Sequence, residues 1–159
     1  MIELFPNFQK NATAIVEYVK QGFMQNRFKA REGALSHAGS SGYKSKFSSL
    51  LNKDMPQELI DMIFNGGNWD ESLQDFYQFI QIQRYMPGEY IVPHIDKYDI
   101  KKLHLVCMTS SEKDAFYVWD KDSLIRIEDK AGQKIVFDYD AMHFVPTVTY
   151  ERYSLVIGE

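Results

Sequence analysis

The chain has 159 residues, 45% of them hydrophobic, with 18 Lys and Arg against 22 Asp and Glu. That length suits one domain over 1–159, and 11 Phe and 10 Tyr supply a packed core, which excludes general disorder. The net charge of −4 excludes a generally basic, phosphate-coating protein, and a lone cysteine, Cys107, excludes an internal disulfide. No apolar run reaches the ~18 residues of a membrane span, and MIELFPNF lacks the pattern of a signal peptide. A soluble, cytoplasmic protein with no membrane partner is expected.

Residues 11–23 read as an amphipathic helix, with Ala12, Ile15, Val16 and Val19 at helical spacing and Asn11 as N-cap. Between Asn26 and Lys53 stand six basic residues, Arg27, Lys29, Arg31, Lys44, Lys46 and Lys53, against the single acid Glu32. Glycines and serines crowd the same stretch, with Phe28, Tyr43 and Phe47 interleaved. It reads either as a substrate-gripping segment or as a plain solvated loop. A short helix follows from Pro56 to Phe64, closed by Asn65-Gly66-Gly67.

From Phe76 the pattern changes to seven short strands: FYQFIQIQRYM, EYIVPHID, KLHLVCM, AFYVWD, SLIRIED, KIVFDYD and RYSLVIG. The reading is an α+β fold: residues 1–75 as helical and loop support, residues 76–159 as a β-sandwich core, the helices packed on one sheet. His94 and Asp96, at i and i+2 of one strand, project to one face with Cα atoms roughly 6.5–7 Å apart. A third ligand must come from another strand, and His143 is placed for it. Two histidines and one carboxylate make the facial triad of non-haem Fe(II) oxygenases, which leaves three coordination positions open. Arg152 and Ser154 share one face of the last strand, opposite Tyr153, Leu155 and Ile157. An inward arginine there needs an anion, and its fork fits a carboxylate, with the Ser154 hydroxyl adding one hydrogen bond; the alternative is a surface arginine on an edge strand, salt-bridged to an ordinary partner.

Together, Tyr85-Met86-Pro87-Gly88, His94-x-Asp96, the Gly132–Asp138 strand before His143, and Arg152-Tyr153-Ser154 resemble the Fe(II)- and 2-oxoglutarate-dependent dioxygenases. Within that family the chain looks most like the prolyl hydroxylases. The resemblance covers residues 85–158 and implies a double-stranded β-helix, a jelly-roll or cupin-like sandwich. It implies that His94, Asp96 and His143 bind Fe(II), that Arg152 with Ser154 pairs the distal carboxylate of the cosubstrate 2-oxoglutarate, and that Tyr85 faces that cosubstrate. With O2, such an enzyme hydroxylates a C–H bond and releases succinate and CO2. The family's Gly-rich pair is absent, with Lys113-Asp114-Ala115-Phe116 in its place.

His104 shares a face with Val106 and Met108; it donates to the cosubstrate carboxylate, is a satisfied core histidine, or displaces His143 as third ligand, in which case the spacing to Arg152 loses its rationale. Tyr117 and Trp119 either wall the pocket mouth or are ordinary core aromatics. A protein or peptide is the first expectation for substrate. The basic segment permits a nucleic acid, and a cupin-like binding module without catalysis is the non-enzyme alternative.

Overall fold

The computed structural model describes residues 1–25, 31–32, 45–72, 77, 79–96 and 99–159. In chain order the elements are β1 (Glu3–Phe5), α1 (Ala12–Met24), β2 (Arg31–Glu32), β3 (Ser48–Leu51), α2 (Gln57–Asn65), β4 (Phe79–Tyr85), β5 (Ile91–His94), β6 (Lys102–Cys107), β7 (Ser111–Asp120), β8 (Ser123–Asp129), β9 (Lys134–Asp138), β10 (His143–Val145) and β11 (Arg152–Gly158).

The strands form two antiparallel sheets. A larger one runs β1-β9-β6-β11-β4-β3-β2 and a smaller one β5-β10-β7-β8. Both helices lie where their periodicity predicts, and each buries one stripe: Ala12, Ile15, Val19 and Gly22 from α1, Leu59 and Ile63 from α2. These stripes close over Ile82, Leu155 and Ile157 on the outer face of the large sheet. The inner face carries Leu103, Leu105, Ile135 and Phe137 against Phe116 and Val118 of the small sheet. Both faces of the large sheet are therefore covered, and every residue of β11 is buried.

Three local readings change. Asn11 makes no side-chain cap on its own helix; its Nδ2 donates to the Met62 carbonyl at 2.9 Å and ties the start of α1 to the end of α2. Residues 48–51, inside the stretch read as a loop, form β3, and β1 comes from the N-terminus, so the first half adds strands to the large sheet. Such short strands have no periodicity to display, and main-chain pairing creates them. Of the basic segment, residues 26–30 and 33–44, including Phe28, His37, Tyr43 and Lys44, lie outside the described residues.

The Tyr85–Gly88 motif is the tight link into β5. Glu89 N–H donates to the Met86 carbonyl at 2.9 Å, and Gly88, at φ 93°, takes the left-handed position after Pro87 that a type II turn requires.

Candidate metal centre

His94 ends β5 and His143 begins β10, and the two are direct cross-strand partners. Their rings come within 4.2 Å, centroid to centroid. That pairing brings together histidines 49 residues apart in the chain. The register shifts between His143 and Val145, next to Pro93, which has no N–H to give to a ladder. Asp96 lies just beyond β5 rather than within it, yet its carboxylate reaches both rings. Oδ1 is 3.6 Å from His94 Nε2, and Oδ2 is 3.2 Å from His143 Nε2. The three ligand atoms all lie within 4.8 Å of one another, and all three residues are buried.

The backbone fixes how the imidazoles present themselves. His94 Nδ1 lies 2.7 Å from the Val92 carbonyl, and His143 Nδ1 lies 2.9 Å from the Ala141 carbonyl. A carbonyl only accepts, so each Nδ1 donates its proton and each ring turns its Nε2 toward Asp96. This is the second-sphere arrangement that orients metal-binding histidines. Two imidazole nitrogens and one carboxylate suit divalent iron.

A cavity of about 380 Å³ opens from this cluster between the sheets. Phe116 and Phe137 pack within 5.8 and 4.9 Å of His143 and make the metal end apolar. Gln81, Gln83 and Tyr85 bring polar groups from the opposite wall. Tyr85 is fully buried and stacks on Phe47 at 5.4 Å, so Phe47 belongs to the cavity wall rather than to a loop. Burial pushes the Tyr85 hydroxyl well above the usual phenol range, so it is a neutral donor, and it donates to Gln83 Oε1 at 2.8 Å.

Arg152 and Ser154 face inward, paired in register with Tyr85 and Gln83, but neither lines the cavity. Ser154 donates to Gln83 Oε1 at 3.3 Å. The anion that Arg152 needs is supplied by the chain itself: Nε and Nη2 donate to Asp129 at 2.8 and 3.2 Å. Nη1 is buried and has no hydrogen-bond partner among the described residues. Asp129 was not singled out from the sequence. Its signal was there, since in SLIRIED it falls in phase with Ile125 and Ile127.

His104 is not at the site. It projects from the helix-covered face of β6, among Trp69 and Tyr77 at ring distances of 6.0 and 5.9 Å, and Nε2 meets Glu159 Oε2 at 2.7 Å. Facing pairs alternate along β6, so Leu103 and Leu105 point to the cavity side and His104 points away from it. Burial lowers its pKa more than the Glu159 contact raises it. The folded state thus binds fewer protons there than the unfolded chain. Its stability contribution is present above the ordinary histidine pKa of about 6.5 and is lost as pH falls through the lower folded value. Urea titrations from pH 7.5 to 5 should show stability falling more steeply for wild type than for His104→Asn; equal slopes would refute this.

Tyr117 and Trp119 are also displaced from the cavity. Phe116 and Val118 take the inward positions of β7, while Trp119 is exposed and Tyr117 stacks on Phe144. Asp114, standing where the Gly-rich pair was absent, accepts from Ser111 Oγ, Thr149 Oγ1 and Thr149 N–H. It pins the irregular start of β7 to the approach of β11. Cys107 is a buried small side chain whose thiol burial pushes up to about 11, which keeps it unreactive.

Two sheets closed face to face, with a buried His-Asp-His cluster lining the cavity between them, define a double-stranded β-helix carrying a candidate metal triad. Solved structures share this fold. An oxidoreductase of the 2OG-Fe(II) oxygenase family from Burkholderia pseudomallei matches at TM-score 0.68 and 16% identity, over 99% of this chain and 84% of its own. A Pseudomonas putida prolyl-4-hydroxylase matches at TM-score 0.65 and 14% identity, over 99% and 90%. A prolyl hydroxylase from Trichoplax adhaerens, in complex with a hypoxia inducible factor peptide fragment, matches at TM-score 0.70 and 12% identity, over 99% and 82%. At these identities the likeness is one of fold. No family model and no curated protein matches the sequence. Among the described residues no helix is long and apolar enough to cross a membrane.

Proposed function

We propose that this protein is an Fe(II)- and 2-oxoglutarate-dependent dioxygenase that hydroxylates a C–H bond of an amino-acid side chain in a protein or peptide. The observation that carries this reading is the triad itself: two imidazoles locked by backbone carbonyls and one carboxylate, at the end of an inter-sheet cavity. His94, Asp96 and His143 would hold the iron on one face and leave the opposite face for ligands. When bound, iron with 2-oxoglutarate and O2 supplies oxidation of a C–H bond coupled to release of succinate and CO2. The chain's own residues set the conditions for it. Phe116 and Phe137 keep water from the metal end, Tyr85 offers a neutral hydroxyl on the facing wall, and Arg152, packed behind Tyr85, brings positive charge toward the cosubstrate's far carboxylate.

A peptide substrate is supported by the fold likeness to prolyl hydroxylases, one of them in complex with a peptide. A cytoplasmic setting fits the single reduced, buried Cys107. The test is succinate formation by the iron-loaded protein from 2-oxoglutarate, slow alone and accelerated by a peptide pool from a proteolysed cell extract. Metal-loaded protein that makes no succinate under either condition would leave a cupin-like binding module instead.

A further inference from the structure

The carboxylate that holds Arg152 is itself held firmly. Asp129 is 2% exposed and Arg152 fully buried. Tyr150 donates its hydroxyl to Asp129 Oδ2 at 2.8 Å, and that hydroxyl lies 2.8 Å from Thr109 Oγ1, which accepts from Tyr153 N–H at 3.2 Å. Asp129 is thus tied into the backbone of β11 through a chain of hydrogen bonds, and its two oxygens fill two of the three guanidinium nitrogens. The third, Nη1, is buried with no partner among the described residues, and the Tyr85 ring, centred 5.3 Å from the guanidinium carbon, lines the cavity where Arg152 does not.

Resting on the functional reading above, we infer that Asp129 is a specificity-determining residue: by occupying the fork of Arg152 it makes this site weakly selective for the distal carboxylate of its keto-acid cosubstrate. An unencumbered arginine recognises a carboxylate through two parallel charge-assisted bonds. Here an anion in the cavity faces a guanidinium set behind the Tyr85 ring, whose charge Asp129 has already balanced. Attraction to Arg152 is offset by repulsion from Asp129 at similar range. The cost of stripping water from the ligand's own carboxylate still has to be met. A keto acid ending in a methyl group escapes that cost and fits the same cavity.

The test compares 2-oxoglutarate with 2-oxovalerate, which carries a methyl where the former has its distal carboxylate. Affinities are read from ligand-induced melting shifts of the Mn(II)-loaded protein, with no turnover required. Wild type should prefer 2-oxoglutarate by about tenfold, the worth of one charge-assisted bond, and by no more than ~30-fold. Asp129→Asn keeps the shape and an acceptor oxygen but removes the opposing charge. It should widen the preference by a further ~10-fold or more, through tighter 2-oxoglutarate binding alone. A wild-type preference above that ~30-fold ceiling would overturn the inference even if Asp129→Asn did not fold. So would an unchanged preference in a folded Asp129→Asn, and in both cases the dioxygenase reading would stand. If neither keto acid shifts the melting of metal-loaded wild type, the functional reading falls and this inference with it.

Discussion

Asp96→Ala is expected to abolish metal-dependent chemistry while leaving the fold intact. Asp96 provides the only carboxylate in the triad, and its two oxygens face both Nε2 atoms at 3.6 and 3.2 Å. Without it, the site keeps two of its three ligands and loses its one anionic donor. The binding experiment is direct. At a metal concentration 100 times Kd, wild type should gain about 2.7 kcal/mol of stability, read as a shift in Tm, and Asp96→Ala should gain none. His94→Ala and His143→Ala should behave alike, because each removes one ligand from a set whose geometry depends on all three. Succinate formation should disappear in parallel. Circular dichroism should be unchanged, since the triad lines the cavity and belongs to neither hydrophobic core cluster. Retained metal-induced stabilisation in all three variants would place the ion elsewhere and sink the assignment.

The second large effect is on folding rather than chemistry. Arg152→Ala should destabilise the protein by about 3–5 kcal/mol, the cost of leaving a buried carboxylate without its counter-charge. The pair is 2.8 Å apart with side chains 0% and 1% exposed, so water cannot take the guanidinium's place. The double variant Arg152→Met, Asp129→Asn should recover most of that loss, to within about 1–2 kcal/mol of wild type. A buried pair replaced as a unit costs far less than a pair broken. Urea unfolding of the three proteins measures both numbers. If Arg152→Ala cost no more than the double variant, Arg152 and Asp129 would not be energetically coupled, and the crowded-fork argument would lose its basis.

Much of the site was legible without coordinates. The i, i+2 spacing of His94 and Asp96 put two ligands near one another whatever the rest of the chain did, because that distance is set by backbone geometry. The inward phase of Arg152 was legible for the same reason, and its need for an anion follows from the cost of burying a lone guanidinium. The helices followed from apolar residues three and four apart.

Other features were decided only when the sheets assembled. Period-two alternation says which residues share a face but not which face is inside, and here the usual cue fails. The large sheet is covered on one side by α1 and α2 and on the other by the small sheet, so β6 and β11 are buried on both faces past Lys102. His104 therefore had two buried sides to choose from, and register with β11 and β9 sent it toward Trp69, Tyr77 and Glu159. The union of His94 with His143 is likewise a matter of β5 pairing β10, a long-range contact that local spacing does not encode. So is the seating of Asp129 on Arg152, 23 residues apart in the chain and joined across the two sheets. The sequence by itself determined the types of donor and their local phase. The tertiary structure decided which donors meet, because cross-strand register, and not sequence distance, sets the few ångströms over which ligands and counter-charges act.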